Sequence, residues 1–337
     1  MKIVSLFSGA GGLDQGFKDA GFNILWANDF NYKVRTTYEK NHPNTTFVLK
    51  SIVDLTADEV PDCDGIIGGP PCQSWSAAGS HGGANDPRGQ LFFQFLRIIE
   101  SKQPKFFVAE NVKGILNKKN TPVFNQIKHL FKKAGYSVQA KLLNASDYGV
   151  AQDRERVIIL GIRKDIETTK ADYFPKPRPS DRQTLQDVIG HLKDKTPNKT
   201  KNASKRTDNH EYLDQGFSSH FMSRNRVREW DECSFTILAT GRHCVLHPQA
   251  PKMKNVGKDK FTFEIGKEHL YRRLSIKECA LIQSFPDNYR FYYDNINDGY
   301  KMVGNAVPPM LAFHIAEQIK RKLGIAFEIT DATTTKH

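Results

Sequence analysis

The sequence predicts an α/β protein with a mostly parallel, doubly wound sheet and a second, smaller and irregular domain. In the first 165 residues, short apolar runs alternate with amphipathic segments, which is the pattern of successive β-α units. A glycine-rich run at residues 7–12 directly follows the first apolar run, as in folds that bind a nucleotide between strand and helix. Near Arg163 the regular apolar pattern gives way to Lys, Thr, Asn, Pro and Asp, which indicates a boundary or an insertion.

The individual elements follow from the spacing of the apolar residues. Strands are expected at Lys2–Phe7, at Ile24–Asn28, in a run ending at Gly65–Gly68, and at Phe106–Ala109, Val138–Leu143 and Val157–Ile162. Helices are expected at Leu13–Ala20, Asn31–Asn41, Leu91–Ile99, Arg273–Gln283 and Val307–Leu323. We therefore divide the chain into three predicted segments, residues 1–165, 166–268 and 269–330, with the last helix returning to the first segment.

The composition is that of a globular protein. The formal net charge of the 337 residues is +12, which is compatible with a polyanionic partner without requiring one. No run approaches the ~18 consecutive apolar residues of a membrane span, and the N-terminus lacks a signal-peptide pattern. The five cysteines are widely spaced without a Cys-x-x-Cys pair, so neither a zinc site nor a disulfide framework is predicted. We expect a cytoplasmic protein with one reactive cysteine.

The run Phe7-Ser8-Gly9-Ala10-Gly11-Gly12 joins the first predicted strand to the first helix. Glycines permit a sharp turn and let a ligand approach the backbone, and a helix start offers free N–H groups. Asp29 ends the second predicted strand, near the spacing at which an acidic side chain bonds ribose hydroxyls in nucleotide-binding folds. A tight turn with an incidental surface Asp is the alternative, but the two features together favour a nucleotide-like ligand.

Cys72 lies in the run Gly68-Gly69-Pro70-Pro71-Cys72-Gln73-Ser74. Two prolines cannot continue a sheet ladder, so the chain must leave the sheet at the carboxyl end of a strand, where open α/β folds bind ligands. A single cysteine is more often a small buried apolar residue. Here the stiff flanks favour a loop that aims one side chain, and Cys72 becomes the candidate nucleophile.

Polar residues border two further predicted strands. Glu110 follows Phe106–Ala109, and these apolar neighbours are expected to raise the pKa of its carboxyl group so that it can hold a proton. An exposed loop Glu is the alternative. Arg154 and Arg156 precede the next strand on one face, where they can bind a phosphate or a base oxygen, or simply face solvent.

The run Gly304-Asn305-Ala306-Val307-Pro308-Pro309 is predicted to open the last helix. Prolines suit a first helical turn, in which no N–H hydrogen bond is lost. The amides at the helix start can complete a ligand site. The alternative is a well-capped terminal helix with Asn305 as its N-cap.

The order of these motifs resembles that of the DNA cytosine-5 methyltransferase family. Phe-Ser-Gly-Ala-Gly-Gly, Pro-Pro-Cys-Gln, Glu-Asn-Val, Gln-x-Arg-x-Arg and Gly-Asn-Ala-Val-Pro follow one another over nearly the whole chain. Residues 221–228, 234–236, 241–242 and 246–251 are particularly similar to the HaeIII-type enzymes, which methylate the internal cytosine of GGCC. The resemblance implies the fold of S-adenosylmethionine-dependent methyltransferases, with a target-recognition domain at residues 166–268.

The resemblance also implies S-adenosylmethionine as the cofactor. The implied cofactor-binding residues are Phe7, Ser8, Gly9, Gly11, Leu13, Asp29, Phe30, Ile52, Pro70, Leu91, Asn305 and Ala306. One departure is that the family's Gly-Asp-Ile at the end of the third strand is Lys50-Ser51-Ile52 here. Because the family Asp reaches the adenine amino group, we expect Ser51 to weaken cofactor binding unless Asp54 substitutes.

The chemistry that the resemblance implies is covalent catalysis on a cytosine flipped out of the duplex. The Cys72 thiolate would attack C6, while Glu110 would contact the N3/N4 edge and supply a proton. Arg154 would bind the base O2, and Arg156 would support that loop. Covalent attack is needed because C5 of cytosine is too poor a nucleophile to take a methyl group unaided.

The implied partner is double-stranded DNA. Arg224, Arg226 and Arg242 are the expected guanine contacts, since arginine pairs bidentately with O6 and N7 of guanine. We expect a monomer that acts at the nucleoid of a prokaryotic cell, where a cognate restriction endonuclease recognises the same site.

Two alternatives are a tRNA cytosine-5 methyltransferase and an inactive regulatory protein that binds the cofactor. The length of the region between Arg163 and Arg272 favours DNA over tRNA. The intact Cys72, Glu110 and Arg154 favour an active enzyme.

Overall fold

The computed structural model describes residues 1–71, 89–166, 172–201 and 208–324. Seven strands form one sheet: β1 (Lys2–Leu6), β2 (Asn23–Asp29), β3 (Thr46–Leu49), β4 (Gly65–Gly68), β5 (Phe106–Val112), β6 (Tyr136–Asn144) and β7 (Glu155–Arg163). Their order across the sheet is β3-β2-β1-β4-β5-β7-β6. Strand β7 is antiparallel to both of its neighbours, and the other pairs in this sheet are parallel. The prediction of a mostly parallel, doubly wound sheet is confirmed.

Eight α-helices lie in the described residues. They are α1 (Gly12–Asp19), α2 (Tyr32–Asn41), α3 (Gly89–Lys102), α4 (Thr121–Lys133), α5 (Leu185–Ile189), α6 (Ile276–Ile282), α7 (Ile296–Asn305) and α8 (Pro309–Lys322). Among these residues no helix combines the length and the apolar character that a membrane span needs.

The central strands are buried on both faces, which explains their nearly continuous apolar sequences. Alternate residues of β5 enter two different cores: Phe106 and Val108 pack with α1 and α8, whereas Phe107 packs with α3 and α4. Strand β7 divides in the same way, with Ile158 in the first core and Ile159 in the second. The helices therefore cover both faces, and the carboxyl ends of the parallel strands remain at one edge.

The rest of the chain forms short elements around a third core. Strands β8 (Asn198–Thr200) and β9 (Glu211–Leu213) make one two-stranded sheet, and β10 (Lys254–Gly257) and β11 (Lys260–Thr262) make another. The third core combines Leu185, Ile237, Ile282 and Tyr300, so residues of the predicted second and third segments share it. The three segment boundaries remain predictions.

In the C-terminal part, one predicted helix starts later than expected and one helix was not predicted. Helix α6 begins at Ile276 rather than Arg273, because Ser275 is its N-cap and forms a capping box with Glu278. Helix α7 is absent from the predicted elements, and it ends at Asn305. Asn305 is therefore not the N-cap of the last helix, whose cap position is Pro308.

Candidate active site

The glycine-rich turn lies at the carboxyl end of β1. Phe7, Gly9 and Gly11 have positive φ angles of 55°, 55° and 81°, a region that glycine enters without steric cost. The Gly11 amide donates a hydrogen bond to the Ser8 carbonyl at 3.0 Å, which closes the turn. The Ser8 amide donates to the Asn28 carbonyl at 3.0 Å, which anchors the turn to β2.

Asp29 joins this turn to the start of α2. Its Oδ2 accepts a hydrogen bond from the Gly9 amide at 2.9 Å, and its Oδ1 accepts one from the Asn31 amide at 2.8 Å. Burial raises the pKa of the Asp29 carboxyl, and these backbone hydrogen bonds oppose the rise. A carboxylate oxygen has a second lone pair, so the group can still accept hydrogen bonds from two hydroxyls of a ligand.

Apolar side chains border the turn on the side of β3. Phe30 is 68% exposed, which is unusual for a large apolar ring and leaves a face available for stacking. Ile52 is 2% exposed and shares its core with Leu91 and Phe7. Ser51, at the position of the family Asp, accepts a hydrogen bond from the Val53 amide at 3.3 Å through Oγ.

The segment after α7 closes the turn from the other side. A Cβ at Gly12 would collide with the Val307 carbonyl and lie 3.1 Å from Cβ of Ala306. Asn305 is exposed beside this contact. Leu13 is buried in the core that it shares with α8, which leaves its backbone as the part that can reach a ligand.

These features fit an adenosyl cofactor. A Cβ built at Gly9 meets no atom within 4 Å, so the backbone is open to a ligand at that point. The Gly9 amide donates to the Asp29 carboxylate, which suits ribose hydroxyls, and the next residue, Phe30, has an exposed ring that suits a base. The residues present are therefore compatible with S-adenosylmethionine.

A largely buried ion pair lies at the carboxyl ends of β4 and β5, with each side chain 12% exposed. Oε1 of Glu110 lies 2.8 Å from Nε of Arg156. Burial raises the pKa of Glu110, and the charges of Arg156 and Arg154 oppose this rise. Strand β5 extends through Glu110, which pairs with Ile158, whereas the sequence pattern ends the strand at Ala109.

The chain that leads to Cys72 passes directly beside this pair. A Cβ at Gly69 would lie 3.3 Å from Oε2 of Glu110. Asn111 donates a hydrogen bond from Nδ2 to the Pro70 carbonyl at 3.0 Å, and this bond fixes the backbone two residues before Cys72. Cys72 itself lies outside the described residues.

Arg154 has a different environment from Arg156. Its guanidinium donates to the carbonyls of Ile237, Gly304 and Ala306 at 3.1, 2.7 and 3.0 Å. The side chain is 1% exposed, and burial together with the charge of Arg156 lowers the pKa of Arg154 to about 9. Arg154 thus joins the start of β7 to Ile237 and to the end of α7.

The three candidate recognition arginines also differ. Arg224 and Arg242 are exposed. Arg226 is 3% exposed and donates to the carbonyls of Phe221 and His220 at 3.0 and 3.2 Å. Arg224 and Arg226 border a cleft of about 240 Å³ that is also lined by Asp153, Asn225, Phe235, Thr236, Leu238, His243 and Val245.

The sequence includes Asn111 in the Glu-Asn-Val run without indicating its contact, and it gives no sign of Tyr289. Asn111 has its role only because β5 and the Pro70 loop are neighbours in the sheet. Tyr289 donates a hydrogen bond to the Ala10 carbonyl of the glycine turn from 279 residues away. A single sequence contains no signal for such distant pairs; covariation in an alignment is the signal that finds them.

Comparisons with known proteins identify the family of this chain. A family model described as C-5 cytosine-specific DNA methylase matches residues 1–321. The Type II methyltransferase M.FnuDI of Fusobacterium nucleatum is 55% identical over 329 residues, covering 96% of this chain and 95% of the relative. M.NgoPII of Neisseria gonorrhoeae is 51% identical over 331 residues and covers 96% of each chain.

Solved structures share the fold. A mutant of Spodoptera frugiperda DNMT2 has a TM-score of 0.70 and 22% identity, covering 95% of this chain and 98% of that chain. The Entamoeba histolytica methyltransferase EhMeth has a TM-score of 0.71 and 18% identity, covering 96% of this chain and 98% of that chain.

Proposed function

This chain belongs to the C-5 cytosine-specific DNA methylase family, and from that premise we propose that it methylates the internal cytosine of GGCC in duplex DNA through a Cys72 adduct. It is a DNA cytosine-5 methyltransferase that uses S-adenosylmethionine. The Type II relatives support a role in a restriction-modification system, where methylation protects the DNA of the cell from a cognate endonuclease.

The observation that carries the proposal is the largely buried Glu110–Arg156 pair beside Gly69. Burial raises the pKa of the Glu110 carboxyl, which favours the protonated form that can donate to a ring nitrogen. The backbone beside it leads within three residues to Cys72. An acid and a nucleophile are thereby supported at the same strand edge as the glycine turn.

We propose the following roles for the residues of the chain. The Cys72 thiolate forms a bond to C6 of the flipped cytosine, and Glu110 gives its proton to N3 as the ring becomes an enamine. S-adenosylmethionine, when bound, supplies an electrophilic methyl group for C5. Loss of the C5 proton to a base and cleavage of the S–C6 bond then restore the ring, and the N3 proton returns to Glu110.

The geometry favours an exchange of the roles that the sequence implies for the two arginines. Arg156 is paired with Glu110 and can orient it or contact the base O2. Arg154 already donates to three carbonyl groups and is almost fully buried, so we assign it to supporting the loop. We therefore propose that Arg156, rather than Arg154, contacts O2 of the cytosine.

For recognition, we propose that Arg224 and Arg242 contact guanine and that Arg226 supports them. Arg224 and Arg242 are exposed, so bidentate donors are available to O6 and N7 of guanine. Arg226 instead donates to the backbone carbonyls of Phe221 and His220, three and four residues before Arg224. The proposed setting is a monomer in the cytoplasm that acts on nucleoid DNA.

Bisulfite sequencing tests the proposal. Duplex DNA with GGCC and control sites is incubated with the purified protein and S-adenosylmethionine. We expect 5-methylcytosine at the internal cytosine of GGCC alone. Methylation in another context would refute the site, and methylation of tRNA in preference to duplex DNA would refute the substrate.

Cys72→Ser tests the covalent step. This variant should lose methyl transfer by several orders of magnitude, because a hydroxyl is a far weaker nucleophile than a thiolate at neutral pH. Cofactor binding, measured by calorimetry, should remain. Retained turnover in this variant would rule out Cys72 as the nucleophile.

A further inference from the structure

A buried tyrosine from the C-terminal part of the chain is hydrogen-bonded to the backbone of the glycine turn. Tyr289 lies between α6 and α7, and its hydroxyl donates a hydrogen bond to the Ala10 carbonyl at 2.5 Å. The same hydroxyl lies 3.0 Å from Nε2 of His42, which follows α2. Both residues are absent from the motifs that identify the cofactor site.

The direction of these hydrogen bonds is determined by the number of protons. The Tyr289 hydroxyl has one proton and gives it to Ala10, so it must accept the second bond from the Nε2–H of His42. Burial lowers the pKa of His42 to about 4, so the ring is neutral and carries this single proton at neutral pH. The bonds therefore run from His42 to Tyr289 to Ala10.

This arrangement holds the Ala10–Gly11 peptide at both ends. Its carbonyl accepts from Tyr289, and its N–H donates to the Ser8 carbonyl at 3.0 Å. Gly11 has a φ of 81°, and a glycine at this position leaves the peptide free to rotate when nothing holds it. Both hydrogen bonds select one orientation of the peptide.

His42 and Tyr289 occupy the space that a side chain at position 11 would need. A Cβ there would collide with Nε2 of His42 and lie 2.8 Å from the Tyr289 hydroxyl. The Tyr289 ring is itself fixed by Phe285 and Phe291, with ring centroids at 4.8 and 5.5 Å. The position of the hydroxyl is thus set by packing against these two rings, in a core that also contains Ala10 of the turn.

We propose that Tyr289, oriented by His42, is a positioning residue for the cofactor: it fixes the Ala10–Gly11 peptide and thereby sets the affinity for S-adenosylmethionine. The glycine turn is then preorganised by a residue outside the cofactor motifs. Preorganisation lowers the ordering cost of binding, so the effect belongs to cofactor affinity rather than to the chemical step.

Tyr289→Phe tests this directly, since it removes one hydroxyl and keeps the packed ring. We expect the dissociation constant for S-adenosylhomocysteine, measured by calorimetry without DNA, to rise about tenfold. At saturating cofactor, kcat and the dissociation constant for duplex DNA should change by less than about twofold, because the site edge at Glu110 is untouched.

The matched control is Tyr293→Phe. Tyr293 is a half-buried tyrosine of the same segment, and its hydroxyl donates to Oε1 of Glu211 at 2.7 Å rather than to the turn. This variant also loses one tyrosine hydrogen bond, so it reports the general effect of such a loss. Its affinity for S-adenosylhomocysteine should equal that of the unmodified protein.

Two variants of His42 provide a second measurement. His42→Gln keeps an N–H donor and should weaken cofactor binding less than His42→Leu, which has none. All variants are compared well below the lowest melting temperature of the set. Unchanged cofactor affinity in Tyr289→Phe, or equal weakening in Tyr293→Phe, overturns the proposal. Neither result depends on which DNA sequence is methylated, so a failure here is distinct from a failure of the proposed function.

Discussion

Among single residues, the two arginines of the Gln-x-Arg-x-Arg run differ in what their guanidinium groups contact. Arg154→Lys should lower the free energy of unfolding by about 2–4 kcal/mol, because an ammonium cannot donate to three separately placed carbonyls in the same cavity. Arg156→Lys should leave stability nearly unchanged and reduce kcat/KM at least tenfold, since Arg156 faces Glu110. Urea unfolding and methyl-transfer assays separate the two effects, and a stable but inactive Arg154→Lys would contradict the assignment.

A second prediction for a single residue concerns Asp14 and the pH dependence of stability. It is buried in the first turn of α1, accepts a hydrogen bond from the Tyr38 hydroxyl at 2.8 Å, and burial raises its pKa to about 6. The folded protein therefore binds more protons than the unfolded chain between pH of about 4 and 6. Stability from this group is present below the unfolded pKa and is lost as pH rises through 6, by about 3 kcal/mol in all.

The variant Asp14→Asn tests whether ionisation of Asp14 lowers stability as pH rises. An amide oxygen still accepts from Tyr38 but does not ionise, so this variant should gain stability relative to the unmodified protein between pH 4.5 and 7.5. His42 and His247, whose pKa values burial lowers to about 4, change stability in the opposite direction over this range. Subtracting the two urea-unfolding profiles removes that common contribution. A difference that does not vary with pH would mean that Asp14 titrates normally.

At the scale of elements, six of the seven strands of the main sheet are predicted, whereas β3 and helices α4, α5 and α7 are not. Continuous apolar runs identify β5 and β7 because both of their faces are buried. The end of β5 is missed because Glu110, Asn111 and Val112 are polar or exposed residues that nevertheless continue the ladder with β7. Their backbone pairing is a tertiary effect that a local pattern does not contain.

Helix α7 is missed for a related reason. Its sequence contains Gly299 and Gly304, which have low helix propensity. A Cβ at Gly299 would lie 2.7 Å from the Tyr293 ring, and a Cβ at Gly304 would collide with the backbone at Leu238. Close packing requires glycine at both positions, so the fold stabilises a helix that propensity alone disfavours.

The close packing of α1 against α8 predicts that a larger residue at Gly16 destabilises the protein. A Cβ at Gly16 would collide with the Pro309 carbonyl and lie 2.5 Å from Cβ of Ala312. Although alanine has the higher helix propensity, Gly16→Ala should lower the free energy of unfolding by about 1–3 kcal/mol through overpacking. Gly216→Ala is the control, because a Cβ there meets no atom within 4 Å. Equal unfolding midpoints for the two variants would show that α8 can shift at little cost.

At the scale of the whole molecule, residues distant in sequence form one site. The turn after β1, the pair at the ends of β5 and β7, and the segment between α7 and α8 meet at one edge of the sheet. The sequence predicts the motifs of this edge because each lies next to a strand. It does not predict the division of roles between Arg154 and Arg156, which depends on the carbonyls of Ile237 and Gly304.

DNA recognition is also a property of the whole molecule, because its net charge of +12 attracts any duplex. A base contact and a phosphate contact are distinguished by salt. If Arg224 reads guanine, Arg224→Ala should reduce discrimination against a substituted GGCC site by about 1–3 kcal/mol and leave the slope of log affinity against log salt nearly unchanged. Arg226→Ala should instead lower the melting temperature, since Arg226 is bonded to the carbonyls of Phe221 and His220. Uniform weakening of Arg224→Ala on all sequences, with a slope smaller by about one, would identify Arg224 as a phosphate contact.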